Sequence, residues 1–173
     1  MEPLSDGVVT LRLFREEDIP AIAAACVDAD IVRFIPAIPV PYTEADARAY
    51  VARAATESAT EAQRHMAIVD ASDGAFLGAI EVRLGGDGSI GYWIAPAARG
   101  RGIATRALVL LSRWAVTDGG VERLELTTHQ ENLASQLVAE KAGFVREGVL
   151  RSHIRFREGR RDSVLFSLLP SDL

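Results

Sequence analysis

Three apolar runs follow one another between His65 and Ala95, and the gaps between them are too short to hold a helix. "HMAIVD" (His65–Asp70) is followed by "ASDG", "AFLGAIEVRL" (Ala75–Leu84) by "GGDG", and "SIGYWIA" (Ser89–Ala95) closes the series. Runs rich in β-branched and aromatic residues, bounded by Gly and Asp, read as strands. A parallel crossover needs a dozen or more residues, so strands joined by such short turns pair antiparallel. An antiparallel meander is therefore expected at the centre of the chain, and the flanks must pack around it.

Before the meander, "VVTLRLF" (Val8–Phe14) reads as a strand. "REEDIPAIAAACVDADIVRF" (Arg15–Phe34) reads as a helix whose acidic first turn suits the positive end of the helix dipole. Pro36, Pro39 and Pro41 fix φ and remove donors, so "IPAIPVPYT" is expected as a surface loop. Thr43 opens a second helix with Asp46 three residues on, a capping-box pattern, and Ala47, Tyr50, Val51 and Ala54 fall at helical spacing. After the meander, a helix is expected over Ile103–Val116, with Ile103, Ala107, Leu108, Leu111, Trp114 and Ala115 on one face. "VERLELTTH" reads as a strand. "NLASQLVAEKAGF" reads as a short helix, with Asn132 at its N-cap and Gly143 at the left-handed C-terminal position. "VLRSHIRF" and "DSVLFSLL" pair as a closing hairpin around "REGRR". The order is β-α-α-β-β-β-α-β-α-β-β, a mixed α/β sheet of α+β character rather than a doubly wound one. At 173 residues, with no repeat or linker, one domain over 1–173 is expected.

Composition narrows the function. A net charge of -5 argues against broad nucleic-acid binding, which needs an excess of basic residues. No apolar run approaches the roughly 20 residues of a membrane span. "MEPLSDG" lacks the basic flank and apolar core of a signal peptide. Cys26 is the single cysteine, which excludes an intramolecular disulfide and points to a reducing, cytoplasmic compartment. It sits among alanines with no histidine near it in sequence, so it reads as a small buried hydrophobe, not a nucleophile. The His and Cys content offers no metal site.

The stretch "APAARGRGIATRAL" (Ala95–Leu108) joins the last meander strand to the following helix. A P-loop needs Gly-x-x-x-x-Gly-Lys-Ser/Thr, and no such string exists. A dinucleotide fingerprint needs a third glycine where Thr105 stands, and an acid at the end of the next strand, which instead ends in Thr127 and Thr128. An anion nest fits better. Glycines permit the tight turn, the first helical N–H groups are unpaired, and Arg99 and Arg101 add charge. The bland reading is a glycine turn with solvated arginines.

"Arg99-Gly100-Arg101-Gly102-Ile103-Ala104" matches Arg/Gln-x-x-Gly-x-Gly/Ala and resembles the acetyl-CoA-binding motif of the GNAT N-acetyltransferases. "NLASQLVAEKAGF" is similar to that family's Asn-x-x-Ser/Ala…Glu-Lys-x-Gly-Phe helix, and "IGYWIAP", "IPVPYT" and "GRRDSVLFSLLPSD" resemble its RimJ/RimL-like branch, which includes ribosomal-protein N-terminal acetyltransferases. The resemblance implies a cofactor lying between two splayed strands, here Ser89–Ala95 and Glu122–Thr128. It implies pantetheine beside the backbone of Trp93, Ile94 and Ala95, where an N–H stabilises the thioester oxyanion. It places the pyrophosphate on the N–H groups of Arg101, Gly102, Ile103, Ala104 and Thr105, and gives Asn132 a hydrogen bond to pantetheine beside its capping role. Many family members protonate the leaving thiolate from a tyrosine at the position of Ala139, so that group is missing. Ser135 matches a serine that the RimL-like branch places near the thiol.

The general base is less determined. Relatives often carry a glutamate where this chain has Ser89. Glu81, His129 and Glu131 lie nearby, and each has a structural or solvated reading beside the catalytic one. An α-amine with a pKa of about 8 is far more often neutral near pH 7 than a lysine at about 10.4, and so needs less help from a base. The implied activity is transfer of acetyl from acetyl-CoA to a primary amine, a peptide N-terminus or a small molecule, by direct attack in a ternary complex. The alternative is a non-catalytic acyl-CoA-binding sensor. The implied partners are that amine and a possible second copy, paired through the closing hairpin, with no nucleic acid or membrane. The basic stripe Arg151, His153, Arg155 and Arg157 reads as a solvated face, or as an attraction for an acidic peptide.

Overall fold

The computed structural model describes residues 2–60, 62–85 and 87–173; Met1, Glu61 and Gly86, the last within the expected "GGDG" turn, lie outside them. The chain runs through β1 (Leu4–Ser5), β2 (Val9–Arg12), α1 (Ile19–Ala25), α2 (Ala29–Phe34) and α3 (Glu44–Ser58). It continues through β3 (Gln63–Asp70), β4 (Phe76–Arg83), β5 (Gly88–Ile94) and α4 (Ile103–Thr117). It ends with β6 (Leu124–His129), α5 (Leu133–Lys141), β7 (Val145–Phe156) and β8 (Gly159–Leu168). Among the described residues the strands form one mixed sheet in the order β1-β2-β3-β4-β5-β6-β8-β7.

The meander forms as the sequence predicts, with β3, β4 and β5 antiparallel. Alternation along its strands supplies a core on each face. On one face α4 buries Ile103, Ala107, Leu108, Leu111 and Ala115 against Leu11, Ile68, Ile80 and Ile90. On the other, Ile19 and Ile22 of α1 and Ala47 and Val51 of α3 form a smaller cluster, flanked by Tyr50, Phe76 and Trp93. The capping box of α3 is present: Thr43 Oγ1 accepts from the Asp46 N–H at 3.3 Å, and the Asp46 carboxylate accepts from the Thr43 N–H at 2.8 Å.

Three expectations are corrected. The helix expected over Arg15–Phe34 is two helices. Asp28 takes an extended backbone and accepts from the N–H groups of Asp30 and Ile31, each at 3.1 Å, which ends one helix and caps the next. The N-terminal strand gains a partner, β1, paired through Leu4 and Leu11. The hairpin strand β7 begins at Val145, and its expected basic stripe is broken by a bulge between Leu150 and Ile154, where Ser152 has φ 51°.

Asp18 ties the first helix to the sheet. Its buried carboxylate receives both guanidinium nitrogens of Arg12 at 2.8 Å and the Arg15 N–H at 2.8 Å. Asp18→Ala strands Arg12 next to the core and is expected to lower unfolding stability by about 3 kcal/mol, read by denaturant titration.

One feature of the sheet positions the site. β5 and β6 are parallel neighbours paired only at Gly88–Leu124 and Ser89–Glu125. From Ile90 onward β5 keeps β4 on one side and has no strand partner on the other.

Candidate functional site

The splay between β5 and β6 exposes backbone donors of known direction. The Ala95 N–H donates to the Leu77 carbonyl at 2.8 Å, which fixes the phase of the β4–β5 ladder. Alternation then turns the amides of Gly91 and Trp93 toward β4, and those of Tyr92 and Ile94 into the gap. Of Trp93, Ile94 and Ala95, only Ile94 therefore offers its N–H to a molecule in the splay. Tyr92 is the second such residue.

The wide end of the splay leads to the start of α4, a 15-residue helix. Gly100 and Gly102 have φ of 74° and 75°, left-handed values that other residues rarely adopt. Nothing lies within 4 Å of a Cβ built at either position, so backbone conformation and not crowding calls for glycine. The first helical bond from this loop runs from the Arg106 N–H to the Gly102 carbonyl at 3.2 Å. The N–H groups of Ile103, Ala104 and Thr105 are the helix's leading donors, a site for an anion.

The arginines around this loop are held by carboxylates. Arg99 pairs with Asp28 at 2.5 Å and Asp30 at 3.3 Å, Arg101 with Asp70 at 3.5 Å, and Arg106 with Asp6 at 2.7 Å. The Arg99 guanidinium keeps Asp28 below the usual carboxylate range. The uncommitted donors of the cradle are therefore mainly its backbone amides.

Asn132 caps α5, its Oδ1 accepting from the Ser135 N–H at 3.1 Å, which leaves the side-chain NH2 available. Ser135 Oγ lies 3.0 Å from the Tyr92 hydroxyl, a contact that spans from β5 to α5. Burial pushes the Tyr92 phenol up to about 12, against the hydrogen bond with Ser135, so it stays protonated at neutral pH. Ala139, where a family tyrosine was expected to be missing, is fully buried. The Tyr92 phenol lines the cleft from β5.

A cavity of about 850 Å³ opens from this cleft toward the proline loop. Ile38, Pro39 and Tyr42 line one side, Tyr50 and Glu57 another, with His65, Glu81 and Trp93 on the sheet and Asn132 and Ser135 opposite. Glu81 points into it. Burial would raise the Glu81 carboxyl, but the His65 ring with Arg83 and Arg53 holds it below the ordinary glutamate value. The other two candidate bases are occupied. The His129 Nδ1 accepts from the Glu131 N–H at 3.1 Å, and its ring packs between Phe34 and Phe156. Glu131 is a surface residue paired with Arg33 at 2.5 Å.

A parallel pair that opens onto glycine-shaped helix amides is matched by what the chain is similar to. The family model described as the acetyltransferase (GNAT) domain matches residues 9–145. The chain belongs to the GNAT acetyltransferase family. The probable N-acetyltransferase YjcK of Bacillus subtilis is 31% identical to it over 113 residues, 62% of each protein. The putative ribosomal N-acetyltransferase YdaF of the same organism is 34% identical over 83 residues, 48% of this chain and 45% of that protein. The chain thus matches less than two thirds of the length of these two relatives. The solved RimJ of Mycobacterium smegmatis, in complex with CoA-disulfide, is 27% identical with a TM-score of 0.84, over 99% of this chain and 88% of that one.

Within this GNAT domain, Cys26 is buried and burial pushes its thiol up to about 11, opposed by a hydrogen bond with Tyr42. It is a poor nucleophile at neutral pH. Among the described residues no group of three or more His, Cys, Asp or Glu could hold a metal ion, and no helix is long and apolar enough to cross a membrane. Sequence reasoning missed Tyr92 as a polar group of the cleft, although alternation along "SIGYWIA" puts Tyr92 on the same face as Ile90 and Ile94. It also missed His65 and Glu57 beside Glu81.

Proposed function

We propose that this chain transfers an acetyl group from acetyl-CoA to a primary amine, by direct attack in a ternary complex. The observation that carries the reading is the splay: the free amides of Tyr92 and Ile94 run from it to the leading N–H groups of α4. An extended pantetheine arm carries amide groups that complement a half-paired strand. A pyrophosphate complements the helix start at Gly102–Thr105, with Arg99 to Arg101 in the loop before it. Asn132 donates to pantetheine while its Oδ1 caps α5.

The chemistry follows from the residues around the cleft. Glu81, ionised at neutral pH, accepts the proton of the incoming ammonium, directly or through water. The neutral amine attacks the thioester carbon. A β5 amide facing the gap donates to the developing oxyanion. The C–S bond breaks, and the thiolate is met by the Ser135 hydroxyl, itself backed by Tyr92. Cys26 takes no part, so no acyl-enzyme forms. The proline loop and the cavity behind it select the amine, either a peptide N-terminus or a small molecule. The single cysteine suits a cytoplasmic setting, and the open edge of β7 suits pairing with a second copy.

The Tyr92–Ser135 pair argues against a non-catalytic sensor, since a proton source at the thiol has no purpose in binding alone. Coenzyme A release from acetyl-CoA over a panel of α-amines, lysine peptides and polyamines tests the reading. Acetyl-CoA at 100 times its Kd is expected to stabilise the fold by about 2.7 kcal/mol. Absence of both effects rejects it, and binding without turnover supports the sensor.

Ser135→Ala keeps its backbone N–H on Asn132 and is expected to reduce kcat by about tenfold, with acetyl-CoA affinity little changed. Tyr92→Phe acts through the same hydroxyl, so the double variant loses less than the product of the two. Steady-state rates of the four proteins in this cycle check the coupling.

A further inference from the structure

The sheet wall of the cavity carries three kinds of side chain in a row. Ala79, Glu81 and Arg83 share one face of β4 at steps of about 7 Å, and Trp93, Gly91 and Ser89 of β5 stand across the ladder from them. The row therefore runs from the Trp93 ring, past the Glu81 carboxylate with no side chain opposite it, to the Arg83 guanidinium. Tyr50, Arg53 and Glu57 lie at helical spacing on α3 and line the same cavity. The α3 wall follows the same order, because Glu57, at its far end, meets the His65 ring beside Glu81.

The charges of the cavity leave two cations unmatched. Asp46 is spent on the capping box of α3. Glu57 has the His65 ring at 2.8 Å, and only Nε of Arg53 comes near it, at 3.9 Å, beyond hydrogen-bond reach. Burial opposes the charge on Glu81, and the His65 ring, Arg83 and Arg53 sustain it; the two arginines do so through space, without a hydrogen bond. Both arginines are exposed at the rim. An acceptor that is only cationic is drawn to Glu81 and repelled by the guanidiniums on either side of it. An acceptor with an ammonium and a carboxylate a few atoms apart meets both signs.

We propose that the acceptor is a free α-amino acid with an apolar side chain. The proposal rests on the acetyl-transfer reading and names its amine. The ammonium sits on Glu81 and the carboxylate on Arg83 and Arg53, whose planar forks match it. The side chain lies among Tyr42, Tyr50 and Trp93, at the end of the cavity closed by Ile38 and Pro39. In the reaction the α-nitrogen forms the new C–N bond and the C–S bond breaks. One ammonium proton goes to the coenzyme A sulfur and one to water, and the carboxylate is unchanged.

The test is kcat/KM of the wild type for L-phenylalanine, L-phenylalaninamide, phenethylamine and glycine, with acetyl-CoA. Phenylalanine is expected to exceed each of the others about tenfold or more. Its own carboxylate makes its amine more basic than that of the amide, so reactivity alone favours the amide, and the expected order reports recognition. Arg83→Gln is expected to lower the phenylalanine-to-phenylalaninamide ratio about tenfold, and Arg83→Gln with Arg53→Gln to lower it further. The ratio cancels any loss of folded protein, which lowers both rates alike. Arg48→Gln, a surface change on α3 that frees Glu44 outside the cavity, keeps the wild-type ratio. An amide or phenethylamine acetylated as well as the acid overturns the proposal, as does a ratio that both arginine variants leave unmoved. Glycine equal to phenylalanine overturns the aromatic end. Absence of turnover with these and with every peptide and polyamine instead rejects the acetyl-transfer reading beneath it.

Discussion

Gly102→Val is expected to abolish acetyl-CoA binding while the chain stays folded. The residue caps α4 with φ 75°, which a β-branched side chain tolerates poorly. The strain costs about 1–3 kcal/mol and is relieved by turning the loop away, which scatters the N–H groups of Ile103, Ala104 and Thr105. A valine that does hold the turn sets its methyl groups where the anion approaches. Nothing in the protein lies within 4 Å of the new Cβ, so no internal clash adds to the cost. The measurement is calorimetric titration with acetyl-CoA beside the thermal shift it induces. Affinity is expected to fall at least about 100-fold, near 3 kcal/mol. Unchanged affinity removes the α4 cradle from the cofactor site.

The contrast between what was and was not readable in the sequence lies in the range of the signals. Gly102, Asn132 and Thr43 act on backbone within three or four residues, so their roles stand in the local string. The meander is likewise local, because its turns are short. The break at Asp28 was harder. An aspartate inside an alanine-rich run is tolerated by a helix, and it caps one only when the chain turns there. The splay has no local signature at all. It is the absence of pairing between β5 and β6 beyond Ser89 and Glu125, and both strands keep ordinary strand sequences. Tyr92 meets Ser135 across 43 positions, and Arg99 meets Asp28 across 71. His65 meets Glu81 only because the register of two strands sets them opposite. Contacts of that kind are fixed by topology, so the sequence named one member of each set and not the whole.

The second large effect is expected at Glu81, where pH separates two explanations of its role. Glu81→Gln keeps the shape and removes the charge, and kcat/KM is expected to fall about 100-fold, the scale of a lost general base. The sign of its shift matters. Its carboxyl titrates below the ordinary glutamate value, so it stays ionised at neutral pH and protonates only as pH falls through that lowered value. An amine acceptor titrates far higher, at about 8 for an α-amine and about 10.4 for a lysine. The acid limb of kcat/KM near neutrality therefore belongs to the amine and should persist in Glu81→Gln, displaced downward at every pH. A second, steeper loss is expected in the wild type once the pH falls through that lowered value, and is absent from the variant. The same depression gives the folded state stability that is present above the unfolded value and lost on acidification, so melting temperatures of both proteins are recorded at each pH. If Glu81 serves only to hold His65 in place, the variant instead loses stability in parallel with rate, and the two acid limbs coincide. A rate that falls without the melting temperature makes Glu81 the group that receives the proton.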